Sequence, residues 1–374
     1  MRIYDYFDLL GVYMKTITNR QFIFLLIVFI TSTADILLPS ITVQLAGRDA
    51  WLSVLAAAVA GSFIVFIQAK LAQRFPGQSP VDYAQSLLGP TLGKLVILLY
   101  LFFILYVTTA VIGEVIQISN SVFFLQSPVI MTSLLLSLAA GYAVFLGIEV
   151  IARVVEFVFI PGILMRAIII VTSLGDVELL RYQPVLEQGL GSVLQGSFRV
   201  MGWLGEGVIL LFLSQYIQSP VKFTRSMLTV IWAVALLLLL TSLTIGTFGP
   251  QQAEIITFPL LESIRMVQIG AIRGLEAFVM VFWYSAIFFK AAVLYYVLLV
   301  TIQNLTMTRL KSTFLVPLAA LLIILPVDLF ADISGTLDFL KNIWPGFAIT
   351  FELFFPLGLL LLAVFKKQGC TGEA

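Results

Sequence analysis

Ten apolar stretches succeed one another along the chain, at roughly 21–46, 50–73, 93–120, 127–146, 148–174, 197–218, 225–248, 274–301, 313–332 and 341–365. Each supplies the ~20 mostly apolar residues a helix needs to cross hydrocarbon. Several are longer, which predicts tilted helices or ends that protrude from lipid. Two of the ten are interrupted at their centres. The first carries Thr31-Ser32-Thr33-Ala34-Asp35 mid-span, with Pro39 beyond, and the sixth carries Gly202-Trp203-Leu204-Gly205-Glu206-Gly207. Paired interruptions in corresponding halves point to a substrate site built on broken helices.

Ten spans divide into five and five. An odd number per half inverts the second half relative to the first, which makes spans one and six counterparts. The expectation is an all-α membrane protein of ten transmembrane helices in a five-plus-five inverted repeat, with helices one and six broken. It forms one integral membrane domain. Residues 1–19 are a tail, 20–175 the first repeat, 196–366 the second and 367–374 a closing tail. The loops Ser79–Gly89 and Ile256–Ile269 have amphipathic spacing and should lie at the interface or cap the bundle.

Composition agrees. Of 374 residues 60% are hydrophobic and 11% charged, with a mean hydropathy of +1.08. Too few charges remain to coat a soluble core of this size. The net charge of +1 suggests no nucleic-acid partner. Thirteen Lys and Arg fall on the side of the N-terminus and six on the other, with Arg166 and Lys290 inside spans. That asymmetry predicts both termini in the cytoplasm. The first apolar run is long and lacks a cleavage signature, so it reads as an uncleaved helix. Cys370 is the one cysteine and there is no histidine, which removes an intrachain disulfide, His catalysis and His metal ligation. No catalytic residue, metal or cofactor is expected.

Charged residues deep in a bilayer are costly and usually mark a site. Asp35 and Glu206 are the foremost, and the three glycines around Glu206 would free backbone groups for a ligand. The candidate ligand site is therefore Thr31, Ser32, Thr33, Asp35, Gly202, Gly205, Glu206 and Gly207. A second set could form a polar path or couple ions: Tyr106, Glu114, Arg166, Trp283 and Lys290. Tyr106, Thr109, Gly113 and Gln117 recur at helical spacing beside Glu114 and should face the bundle interior. Arg166 lies deep, past Pro161, and needs a partner. Trp283 and Lys290 fall seven apart on one face with Glu276, and Lys290 either joins a buried site or snorkels to the interface. Glu149, Arg153 and Glu156 read as an intrahelical ladder. Glu352 is a further intramembrane acid.

These residues give the chain a family likeness. Over about Thr18–Lys366 it resembles the endospore germination permease family, the B subunits of spore germinant receptors, within the amino acid–polyamine–organocation transporter superfamily. The likeness rests on span count, Leu37-Leu38-Pro39, and Gly205-Glu206 followed by Leu210-Leu211-Phe212-Leu213. It rests also on Arg273-Gly274-Leu275-Glu276 with Trp283 downstream, and on the Tyr106/Glu114 pair. The resemblance implies a LeuT-like fold and a small, amino-acid-like germinant held at the broken helices. It implies assembly with A and C subunits in the inner membrane of the spore. Superfamily members usually place small residues at the first break, where this chain has Asp35, which would attract an ammonium or cation. The alternative function is a secondary active amino-acid or cation transporter, with proton coupling through Glu206, Asp35 or Lys290.

Overall fold

The computed structural model describes residues 16–123, 127–217, 223–267, 274–308, 310, 312–330 and 332–369. Their regular structure is helical apart from an isolated bridge between Ile17 and Ile217. The first half comprises α1 Asn19–Ala46, α2 Ala50–Arg74, α3 Pro80–Leu88, α4 Pro90–Ile118, α5 Val129–Leu146 and α6 Ile148–Ser173. The second comprises α7 Gly189–Leu204, α8 Phe223–Thr241, α9 Leu243–Phe248, α10 Pro250–Ile255, α11 Pro259–Met266, α12 Leu275–Thr306, α13 Ser312–Leu329, α14 Ile333–Asp338, α15 Trp344–Ile349 and α16 Phe355–Phe365.

All ten apolar stretches are largely helical where described. Among the described residues eight helical stretches are long and apolar enough to cross a membrane. One of them, Asn19–Arg74, contains both α1 and α2 joined by the turn Gly47–Asp49, and Thr313–Leu329 is a shorter apolar helix. The chain is an integral membrane protein, and its helices pair most of its backbone polar groups, as hydrocarbon demands. The two amphipathic loops contain short helices. Ser79 and Asp82 form a reciprocal capping box that starts α3, and α11 lies within the second loop, of which residues 268–269 fall outside the described set.

The first helix is unbroken, contrary to the sequence expectation. Hydroxyls in the polar stretch bond back into the helix, Thr31 to the Ile27 carbonyl at 2.7 Å and Ser32 to that of Phe29 at 2.9 Å. They reinforce carbonyls one turn behind instead of releasing them. Pro39 is accommodated inside α1, where it leaves the Asp35 carbonyl without its usual N–H donor. The sixth span does change character: α7 tightens at Gly205 into a 3₁₀ helix running to Tyr216. The chain continues through it as helix rather than opening.

α1 sits at the centre and packs against α6, α7, α8 and α12. Around it α2 packs on α7 and α8, while α4 and α5 pack on α12 and α13. Both ion pairs described below are placed by their relation to α1.

Candidate functional site

Asp35, near the middle of α1, meets Arg166 from α6. The guanidinium engages both carboxylate oxygens, and its Nη2 also donates to the Leu237 carbonyl of α8 at 3.2 Å. Arg166 is thus the partner of Asp35. The planar fork of Arg matches a carboxylate bidentately, which Lys could not do. The side chains keep 21% and 9% of their exposure, because the pair stands in the wall of a cavity.

That cavity holds ≈160 Å³ between α1, α6, α8, α11 and α12. Its polar wall comprises Thr31, Ser32, Asp35, Arg166 and Thr241, and the rest is almost wholly apolar, including Phe159, Ile163, Leu260 and Phe289. Trp283 closes one side, its indole N–H donating to the Ser32 carbonyl at 2.7 Å. An apolar chamber with a few convergent polar groups is the usual form of a small-molecule site.

Behind α1 lies a different arrangement. Lys290 of α12 donates to both oxygens of Glu206, at 2.8 and 2.7 Å, and to the Thr33 hydroxyl at 2.7 Å. Its ammonium also lies 4.9 Å from the centre of the Phe29 ring. The Lys290 and Glu206 side chains are only 1% and 3% exposed. Lys290 therefore does not snorkel: Glu206 and Thr33 satisfy its three donors inside the bundle.

The expected ligand set is thus divided. Thr31, Ser32 and Asp35 line the cavity with Arg166 and Trp283, whereas Thr33 and Glu206 are locked to Lys290. Gly202, Gly205 and Gly207 line neither: they are packing positions, meeting Trp344 and Pro345, Glu352, and Met227 with Gln68 respectively. A Cβ at Gly205 would collide with the Glu352 carboxylate.

The third-span stripe packs against the end of α13 and the segment that follows it. Gln117 donates to the Phe330 carbonyl at 2.6 Å, Gly113 lies against the Phe330 side chain, and Tyr106 packs among Phe330, Phe339 and Phe347. Glu114 is buried and within electrostatic reach of Lys290 and Glu206. The ladder on α6 is only half formed. Glu149 pairs with Arg153, but Glu156 reaches across to Arg20 at 2.7 Å and accepts from Gln21 at 3.0 Å.

Gln68 is the residue that sequence reasoning missed. From α2 its amide nitrogen donates to the carbonyls of Gly205 and Glu352, 2.9 Å each. The first opens the 3₁₀ stretch and the second lies in a π-helical turn, Thr350–Phe354. Both irregularities displace carbonyls from α-helical pairing, and one side chain answers both. The available signal was an amide in the apolar run Ile64–Ala69.

Comparison with known proteins agrees with this architecture. A nucleobase-cation-symport-1 family transporter, Mhp1, solved closed with bromovinylhydantoin bound, superimposes with a TM-score of 0.52 over 94% of each chain, at 14% identity. The fold is that of such a transporter. Spore germination protein KB of Bacillus subtilis (strain 168) is 27% identical over 359 residues, 94% of this chain and 95% of its own length. YndE of the same organism is 24% identical, covering 75% and 78%, and spore germination protein XB of Bacillus anthracis is 23% identical, covering 86% and 90%. The model of the spore germination protein family matches residues 16–328. This membrane protein, with a transporter's fold and a cavity beside its central helix, belongs to the spore germination protein family.

Proposed function

We propose that the chain is the B subunit of a spore germinant receptor, and that it binds a small germinant in the cavity beside α1. One observation carries the reading: the Asp35–Arg166 pair stands in the wall of an otherwise apolar chamber. An ion pair so placed offers an acceptor for an ammonium and a fork for a carboxylate. The chemistry it suits is an amino-acid zwitterion with an apolar side chain. Asp35, paired with Arg166, does not repel the ligand's carboxylate, since the guanidinium stands beside it.

α1 carries the cavity wall on one face and the Lys290–Glu206 lock on the other. Ligand that favours one disposition of α1 shifts a two-state bundle, and A and C subunits read the shift in the inner membrane of the spore. In this reading the chain spans ten times, as inverted repeats 20–175 and 196–366, with both termini cytoplasmic and Asn19–Arg74 divided at Gly47–Asp49. Glu114 stands within electrostatic reach of the lock and tunes response more than ligand affinity.

The test is germination of spores carrying Asp35→Asn or Arg166→Gln, scored against a panel of amino acids. The reading expects the half-maximal concentration to rise at least about tenfold, with normal protein level. Unchanged dose-response curves contradict it.

The alternative is a secondary active amino-acid or cation transporter. The buried Lys290–Glu206 pair favours it, since a titratable pair between two helices suits ion coupling. Saturable uptake of a labelled amino acid into proteoliposomes would support it, and binding without uptake supports the receptor.

A further inference from the structure

Among the described residues Glu352 has no hydrogen-bond partner. It sits in the π-helical turn Thr350–Phe354, is 0% exposed, and neither carboxylate oxygen accepts a hydrogen bond. The side-chain oxygen of Gln68, also 0% exposed, is likewise unpaired. Both border the same short segment, Glu352 against Gly205 and Gln68 against Gly207. Three buried acceptor oxygens converge there without a donor.

The Trp344 indole N–H is unpaired but lies against Gly202, a turn away from Gly205, and the other neighbouring donors are engaged. Both N–H groups of the Gln68 amide go to backbone carbonyls. Lys290 is committed to Glu206 and Thr33. The Tyr100 hydroxyl of α4 donates to the Phe351 carbonyl at 2.8 Å. On the 3₁₀ stretch, Glu206 is held by Lys290, and Tyr216 packs on Tyr296. On α2, Arg74 donates to the carbonyls of Gln368 and Ala363, and Lys70 lies over the Phe66 ring. The flanking helices α15 and α16 hold no titratable side chain. Lys290 and Glu206 cancel, so Glu352 would stand as an uncompensated buried charge, a costly state in a membrane interior. One positive charge and one donor are missing.

We propose that Glu352 is a proton-binding site, carrying one proton at neutral pH in the bundle as it is packed here. A proton supplies both missing items and needs no volume, which matters where the carboxylate presses on Gly205. Among the described residues no three acidic, cysteine or histidine side chains are grouped to hold a metal ion. An O–H bond forms at a Glu352 carboxyl oxygen as hydronium gives up a proton and becomes water, and it breaks when a water molecule accepts that proton back as hydronium. Because Glu352 is buried between the 3₁₀ stretch and the last helices, that exchange requires those elements to part. The site is independent of what the cavity holds.

The test is infrared difference spectroscopy of the purified full chain in lipid at neutral pH, wild type against E352Q. The expected result is a carboxylic-acid C=O band, lost in E352Q and shifted in D₂O, identical in choline, sodium and potassium salts. Loss of carboxylate bands in place of the acid band overturns the proposal. So does a Glu352 signal that depends on sodium or potassium, since an alkali cation is then the occupant. If E352Q does not fold, E352D serves: the acid band must persist at a displaced frequency, and its absence overturns the proposal equally.

Discussion

The two faces of α1 hold two ion pairs of opposite character. Asp35 and Arg166 meet at a cavity wall with side chains 9% and 21% exposed, while Lys290 and Glu206 are 1% and 3% exposed and are shared with Thr33. Both neutralise charge within apolar surroundings. Only the first is open on one side, so only it can exchange a partner for a ligand without helices separating. The second is bonded in full and can change only if α1, the 3₁₀ stretch and α12 move. Burial, rather than the kind of charge, separates the proposed recognition pair from the lock. In the proposed reading, a lock that any movement of α1 must strain is also what couples ligand to conformation.

The largest effect is expected at the lock. Lys290→Met leaves Glu206 buried without a counter-charge and should cost about 3–5 kcal/mol. Thermal denaturation in detergent should show it, and the double variant Lys290→Met/Glu206→Gln should recover most of the loss. Equal destabilisation in single and double variants would mean the lock is packing, not charge. Asp35→Ala should cost less, about 1.5–3 kcal/mol for lost charged hydrogen bonds, because Arg166 retains some solvent and the Leu237 carbonyl. If Asp35→Ala proves as damaging as Lys290→Met, the two faces do not differ as argued. Gly205→Ala drives a methyl into Glu352 and should cost about 1–3 kcal/mol through overpacking. A neutral result in the same assay would show that the carboxylate moves freely. The smallest effect is at Thr31→Val, which removes one in-helix bond and should cost under about 1 kcal/mol. Its ligand affinity should nonetheless change, since Thr31 borders the cavity, whereas Thr42→Val, two turns beyond Asp35 and outside the cavity lining, should leave affinity alone.

Much of this was legible in the sequence because membranes simplify it. Hydrocarbon forces helices, so apolar run length located them, and the cost of buried charge pointed to Asp35, Glu206, Arg166 and Lys290. Helix continuity was not legible. A Thr-Ser-Thr run reads as a weak point, yet the same hydroxyls can repair the helix, and only tertiary packing decides between the two. The pairing was also hidden. Asp35 and Glu206 looked like members of one site, but residues two apart on a helix, such as Thr33 and Asp35, point to different neighbours. The glycines around Glu206 fitted either an opened backbone or close packing, and the structure uses them for packing. Gln68 carries no charge, so nothing in the cost of burial singled it out.

The central claim is that ligand occupies the cavity beside α1 rather than the surroundings of Glu206. Ala286 lines that cavity, and Ala286→Phe fills it while removing no partner of either ion pair. Equilibrium binding of a labelled amino-acid panel should be measured on the purified wild-type chain and on this variant. The account predicts that a ligand bound by the wild type is lost from Ala286→Phe, while the variant keeps its thermal stability. Binding of equal affinity to both would contradict it and return the site to the far side of α1.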